Sequence, residues 1–187
     1  MSSPDQTEEI LGEGAHLRLL RRGGWEFAER RNTAGVVAIV ALTPDRGILM
    51  LEQYREPIGS RVVEIPAGLI DYKRDGSAEA ADDAARRELM EETGFDCDTI
   101  RSLGGGPTSA GMSTETLEFF VAMGCKKVER GGGVEGEDIV VTAVPLDELH
   151  AWVASREAAG AVTDPKVWAG LWLAARSGLA EVRGMLE

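Results

Sequence analysis

Only two cysteines, Cys97 and Cys125, occur in 187 residues, and their spacing matches no metal knuckle or redox pair. A disulfide framework is thereby excluded, and both are expected as reduced, buried thiols of a cytoplasmic protein. Histidine is equally scarce. His16 and His150 stand in no catalytic spacing and read as structural or surface residues. Basic side chains number 20 against 32 acidic ones, a formal charge of −12. That balance repels a polyanionic backbone, so no nucleic acid partner is expected. A small anion is not excluded, because a divalent cation reverses the local field wherever enough carboxylates converge. No apolar run reaches the ~18 residues that span a bilayer. The longest, residues 36–42, has strand length, and the opening MSSPDQTEEI carries acids where an export signal carries bases. No membrane association is expected.

What remains is ordinary in composition, 43% hydrophobic and 28% charged, with length for one well-packed domain. HLRLL, a Gly23-Gly24 turn and WEFAERR form a short two-stranded unit over residues 15–31. Strands follow at 36–43 and 48–54, joined by the turn Pro44-Asp45-Arg46-Gly47. VVEIPAG (62–68) is a third strand running into a loop. Residues 77–93 form the clearest helix, with Ala81, Ala85 and Leu89 on one face and Gly94 as its C-terminal cap. GGGPTSAGMS (104–113) reads as a small-residue loop, TLEFFVAMG as a strand, GGGVEGED as a glycine-rich loop and IVVTAVPL as a strand. Helices at 146–158 and 165–176 close the chain. Interleaved strands and helices with short connections give an α/β or α+β class. The division expected is an N-terminal strand unit at 1–33 and a main domain at 34–187.

The chemistry concentrates in residues 87–95, Arg-Glu-Leu-Met-Glu-Glu-Thr-Gly-Phe. On a helix Glu88, Glu91 and Glu92 leave one face of one turn. Like charges at that spacing destabilise a helix, and a divalent cation offsets the repulsion: magnesium prefers hard oxygen ligands and bridges to phosphate. A solvated acidic face is the plainer reading of such a cluster alone.

The flanks decide between the two. Residues 87–95 match the C-terminal half of the Nudix box, and Glu79, eight residues before Arg87, stands where that box places its first glutamate. EIPAGLID (64–71), EQYREPIG (52–59), GEDI (136–139) and VTDPKVWAGLWLA (162–174) extend the likeness from about Trp25 onward. The chain therefore resembles the Nudix hydrolase superfamily, in its ADP-ribose pyrophosphatase and nucleotide-sugar hydrolase branch. There is one departure. Lys73 stands where the family spacing puts a glycine, and Gly68 lies eleven residues before Glu79, so the loop at 71–77 carries about five extra residues.

The resemblance implies a Nudix α/β/α sandwich with a mixed sheet. It implies Mg2+, with Mn2+ as a substitute, held by Glu88, Glu91, Glu92, the Ala67 carbonyl and Glu137. Arg87 orients the glutamates and Glu79 supports them. The general base comes from the glycine-rich loop, Glu137 being favoured and Glu135 its rival. Trp25, Glu26 and Arg30 resemble the element that stacks and reads the nucleobase, with a core tryptophan as the equal alternative. Arg55, and less so Arg61, suits a phosphate clamp; Ser113 and Glu115 lie where the family meets the terminal sugar. The implied reaction splits the diphosphate of ADP-ribose or a related nucleoside diphosphate sugar. Ser109-Ala110-Gly111 lacks the proline of ADP-ribose-selective relatives, which keeps other nucleotide sugars in contention. Dinucleoside polyphosphates, coenzyme A, or a non-catalytic binding module are the alternatives. A lone strand unit at 15–31 cannot bury its apolar face, so a homodimer is expected.

Overall fold

A computed structural model describes residues 7–133, 138–179 and 182. The order of elements is β1 (Glu9–Glu13), β2 (Leu17–Arg22), β3 (Trp25–Arg30), β4 (Thr33–Leu42), β5 (Gly47–Arg55), β6 (Ser60–Glu64), β7 (Ala67–Asp71) and α1 (Ala81–Thr93). Then come β8 (Phe95–Asp96), β9 (Thr99–Pro107), β10 (Thr116–Met123), β11 (Lys126–Lys127), β12 (Val140–Pro145), α2 (Leu149–Ala158), β13 (Val162–Thr163) and α3 (Lys166–Arg176).

The main sheet runs β13-β6-β5-β4-β10-β9, with β12 added to β5 and β7 to β4. It is mixed: β4–β10 and β6–β13 are parallel, and the other pairs antiparallel. β4 is apolar on both faces because both faces are covered. Val37, Ile39 and Ala41 meet Ala84, Ala85 and Leu89 of α1, while Ala38, Val40 and Leu42 share a core with α2 and α3. The expected α/β/α sandwich is what forms.

The sheet forks beside β4. β4 pairs with β5 only at Leu42↔Ile48, and the β6–β7 hairpin enters the opening, β6 along β5 and β7 along β4. The link between them, Ile65-Pro66, crosses the fork, with the Pro66 carbonyl accepting from Ile39 N–H at 2.8 Å. This puts Glu64 on one side of the opening and Ala67 on the other.

Three local expectations are corrected. The N-terminal unit has three strands, because β1 pairs along β2 through cross-strand Arg–Glu contacts that its weak apolar pattern did not announce. The helix expected from residue 77 starts at Ala81. Tyr72 bridges to Ala78 and Glu79 N–H donates to Asp71 O at 2.8 Å, so residues 77–79 are spent on tertiary pairing. The same contacts turn the extra residues into a small self-closed excursion. Finally, Gly104, Gly105 and Gly106 belong to β9 and not to a loop. A Cβ on Gly105 would stand 1.9 Å from the Leu117 carbonyl oxygen, so the absent side chain at that position is what lets β9 lie so close to β10.

Candidate active site

α1 presents its polar edge to the fork. Ala84, Ala85 and Leu89 are buried against the sheet, which turns Arg87, Glu88 and Glu91 toward the opening. Glu92 is itself buried, and its Oε2 accepts from Ala67 N–H at 2.9 Å. Glu88 Oε1 accepts from Leu69 N–H at 3.1 Å. A Cβ on Gly68 would lie 1.9 Å from the Glu88 carboxyl carbon, so glycine is required there for the carboxylate to lie against the β7 backbone. Burial pushes the Glu88 carboxyl up from its ordinary range, against the opposing pull of the Arg87 guanidinium.

Arg87 is the hub of this wall. Its Nη2 donates to Glu79 at 3.0 Å and to the Leu69 carbonyl at 2.9 Å; its Nη1 donates to Glu88 at 2.9 Å and Glu91 at 3.2 Å. These partners, Glu79 first, raise the guanidinium above its already high value. Glu79 is held below the usual carboxylate range chiefly by Arg87. Because Glu79 sits on the extended segment before α1, it reaches Arg87 and not the metal-type carboxylates.

The opposite wall comes from β5, β6 and the start of α3. Arg55 Nε donates to Glu64 at 2.7 Å, and Glu64 keeps only 7% of its side-chain surface exposed. Beside it, Asp164 N–H donates to Val63 O at 2.9 Å, and Asp164 pairs with Lys166. Arg30 and Glu115, joined at 2.8 Å, also line the opening. Between the walls lies a cleft of about 990 Å³.

The cleft gathers eight of the residues expected at the site: Arg30, Arg55, Ala67, Arg87, Glu88, Glu91, Glu92 and Glu115. Trp25, Glu26, Arg61 and Ser113 do not line it. Trp25 is 67% exposed, so it is no core tryptophan. Its cross-strand partner is Arg22, and it shares a strand face with Phe27 and not with Arg30. Glu26 pairs with Arg21, and Arg61 with Glu52 and Asp138. Ser113 bridges to Ala28, fastening the β9–β10 turn to β3. Glu135 and Glu137 lie outside the described residues. Glu64, Asp164 and Lys166 are cleft residues that pattern reading passed over, although EIPAG and VTDPK both contained them. Each looked like part of a strand or a helix start; only the fork turns them inward. Cys97 and Cys125 are free and buried, as expected, and burial pushes the Cys125 thiol up to about 12.

The carboxylates supply hard oxygen donors of the kind that suits Mg2+ or Mn2+. Among the described residues, no three His, Cys, Asp or Glu side chains converge tightly enough to form a complete metal cluster. Main-chain amides and Arg87 engage Glu88, Glu91 and Glu92 in this arrangement. The donor chemistry of Glu88, Glu91 and Glu92 is nonetheless of the kind that suits a hard cation. No helix among the described residues is long and apolar enough to cross a membrane.

The NUDIX domain family matches residues 32–164. A methanol dehydrogenase activator of Bacillus methanolicus is 35% identical over 123 residues, 65% of this chain and 64% of that protein, so the match spans just under two thirds of its length. An ADP-ribose pyrophosphatase of Bacillus subtilis (strain 168) is 32% identical over 130 residues, 69% of this chain and 68% of that protein. A GDP-mannose pyrophosphatase of Pectobacterium atrosepticum is 31% identical over 173 residues, 81% of this chain and 86% of that protein. The crystal structure of an ADP compounds hydrolase superposes with a TM-score of 0.71 at 20% identity, covering 97% of this chain and 99% of that one, a likeness of fold.

Proposed function

The chain belongs to the NUDIX domain family, and we propose that it is a Mg2+-dependent hydrolase of ADP-ribose or a related nucleoside diphosphate sugar. The products are a nucleoside monophosphate and a sugar phosphate. The observation that carries this reading is the cleft itself: Glu88, Glu91 and Glu92 of α1 line a space of about 990 Å³ together with Arg55, Arg30 and Glu115.

Glu88, Glu91 and Glu92 with the Ala67 carbonyl hold the cation, and Mn2+ substitutes for it. When bound, the cation screens the diphosphate and acidifies a water. Arg87 keeps Glu88 and Glu91 in place while Glu79 keeps Arg87 in place. Arg55 binds a phosphate oxygen, and its Nε pairing with Glu64 holds the guanidinium plane still for that contact. Glu137 takes the proton as general base, with Glu135 as its rival. Glu115 meets the terminal sugar, and Arg30, which pairs with it, reaches toward the base. The Ser109-Ala110-Gly111 turn, without proline, admits hexose as well as ribose. Trp25 stacks on the base of a neighbouring subunit's substrate, while Leu17 and Leu19, exposed on the other face of the N-terminal sheet, are covered in a homodimer. The enzyme acts in the cytoplasm on a small molecule.

The test is a panel of nucleoside diphosphate derivatives incubated with Mg2+, the products identified by mass. Hydrolysis of ADP-ribose or a hexose derivative to monophosphate and sugar phosphate is expected. Turnover confined to dinucleoside polyphosphates or coenzyme A, or none, rejects the reading.

A further inference from the structure

The helix that carries Glu88, Glu91 and Glu92 ends in an electrostatic difficulty. Its last carbonyls form the negative end of the helix dipole, two of the acids stand in that final turn, and no basic residue does. The chain after β11 meets this end directly. Gly132 N–H donates to the Glu92 carbonyl at 2.7 Å, and Gly133 N–H to the Glu91 carbonyl at 3.0 Å. The amides of Val128 and Glu129 both donate to the Gly94 carbonyl, at 2.8 and 3.1 Å.

The contact is backbone on backbone. A Cβ on Gly131 would stand 2.2 Å from the Thr93 carbonyl carbon and 2.4 Å from the Gly94 nitrogen; a Cβ on Gly94 would stand 2.4 Å from the Glu129 carbonyl oxygen. Both glycines also need positive φ, 66° and 73°. The two positions interlock, and neither accepts a side chain without pushing residues 128–133 off the helix.

We propose that Gly131 is a positioning residue for the cation site. By letting residues 128–133 dock on α1, it fixes the turn that carries Glu91 and Glu92 and delivers two amide donors to its negative end. The carboxylates then keep their geometry and their affinity for a divalent cation. The inference rests on reading these glutamates as cation ligands. A merely structural cap would lower stability and leave cation affinity alone.

Titration calorimetry with Mn2+ in the absence of nucleotide separates these roles. Gly131→Ala is compared with the wild type and with Gly160→Ala, a positive-φ glycine (96°) with open space where its Cβ would go. The two variants carry similar backbone strain, but only Gly131 touches α1. Gly131→Ala should weaken Mn2+ binding about tenfold, the scale of a lost supporting contact, and Gly160→Ala less than about twofold. Equal affinities in all three proteins, or equal losses in both variants, overturn the proposal. A wild type that binds no Mn2+ instead rejects the ligand assignment beneath it. Should Gly131→Ala fail to fold, amide exchange in the wild type decides: Mn2+ should slow exchange at Gly132 and Gly133, because docking and cation binding stabilise one another, and exchange there that Mn2+ leaves unchanged overturns the proposal.

Discussion

Arginine meets glutamate in two places in this protein, with opposite consequences. In the N-terminal sheet, Arg18–Glu13, Arg21–Glu9 and Arg21–Glu26 join side chains that each keep more than a third of their surface in water. Such pairs exchange hydration for contact at little net gain, and salt screens them. They align β1, β2 and β3 without anchoring them. At α1, Arg87 meets Glu79 and Glu88, which keep 16% and 14% of their side-chain surface. There each partner depends on the other, because a charge left alone in that setting is costly. The same two residue types are decoration in one region and framework in the other, and burial makes the difference.

The largest effect should come from the framework's working end. Glu92→Gln and Glu91→Gln retain shape and helix propensity while removing charge, so circular dichroism should show a folded protein. Turnover of the nucleoside diphosphate sugar should fall by about 10²-fold or more, the scale of losing one transition-state charge contact. Undiminished rates in both variants would detach catalysis from this helix.

A smaller effect tests the framework through pH. Arg87 lowers the Glu79 pKa, so the stabilisation from this pair is present above the unfolded-state value and is lost as pH falls through the lowered folded-state value. Glu79→Gln should therefore melt lower than wild type at pH 7, by about 3 °C. The gap should close on acidification below ~4, the ordinary carboxylate range. A gap of constant size from pH 7 to pH 3 would assign Glu79 a packing role instead of an electrostatic one.

In the N-terminal sheet the stability effects should nearly vanish while a functional one survives. Arg21→Ala should shift the melting temperature by no more than about 1 °C. Trp25→Ala should leave both melting and metal dependence alone yet raise KM about tenfold, the scale of one lost base–aromatic stack. Light scattering should report a dimer of the 20.0 kDa chain. A fully active monomer, or a Trp25→Ala protein with unchanged KM, would remove this sheet from the site.

The comparison also explains what could be read from residue order. The acidic helix face was legible because its spacing is local: Glu88, Glu91 and Glu92 share a face on any α-helix, and Gly94 ends that helix wherever it packs, here with φ 73°. The helix start was not legible, since residues 77–79 choose β7 over the helix through contacts with Asp71 and Tyr72. Gly104–Gly106 misled for the same kind of reason: they signal a loop in isolation, yet they lie in β9, where Gly105 lets the strand close on β10.

By itself, then, the sequence determined the layered class, the three carboxylates on one helix face, the arginine among them and the reduced cysteines. These follow from periodicity, charge and composition, which act over a few residues at a time. Only the tertiary structure decided that the sheet forks at β4, that Glu64 and Lys166 turn into the resulting cleft while Arg61 and Trp25 stay outside it, and that Gly131 closes the end of α1. Those outcomes depend on which strand edges meet across tens of residues, and no local pattern carries that information.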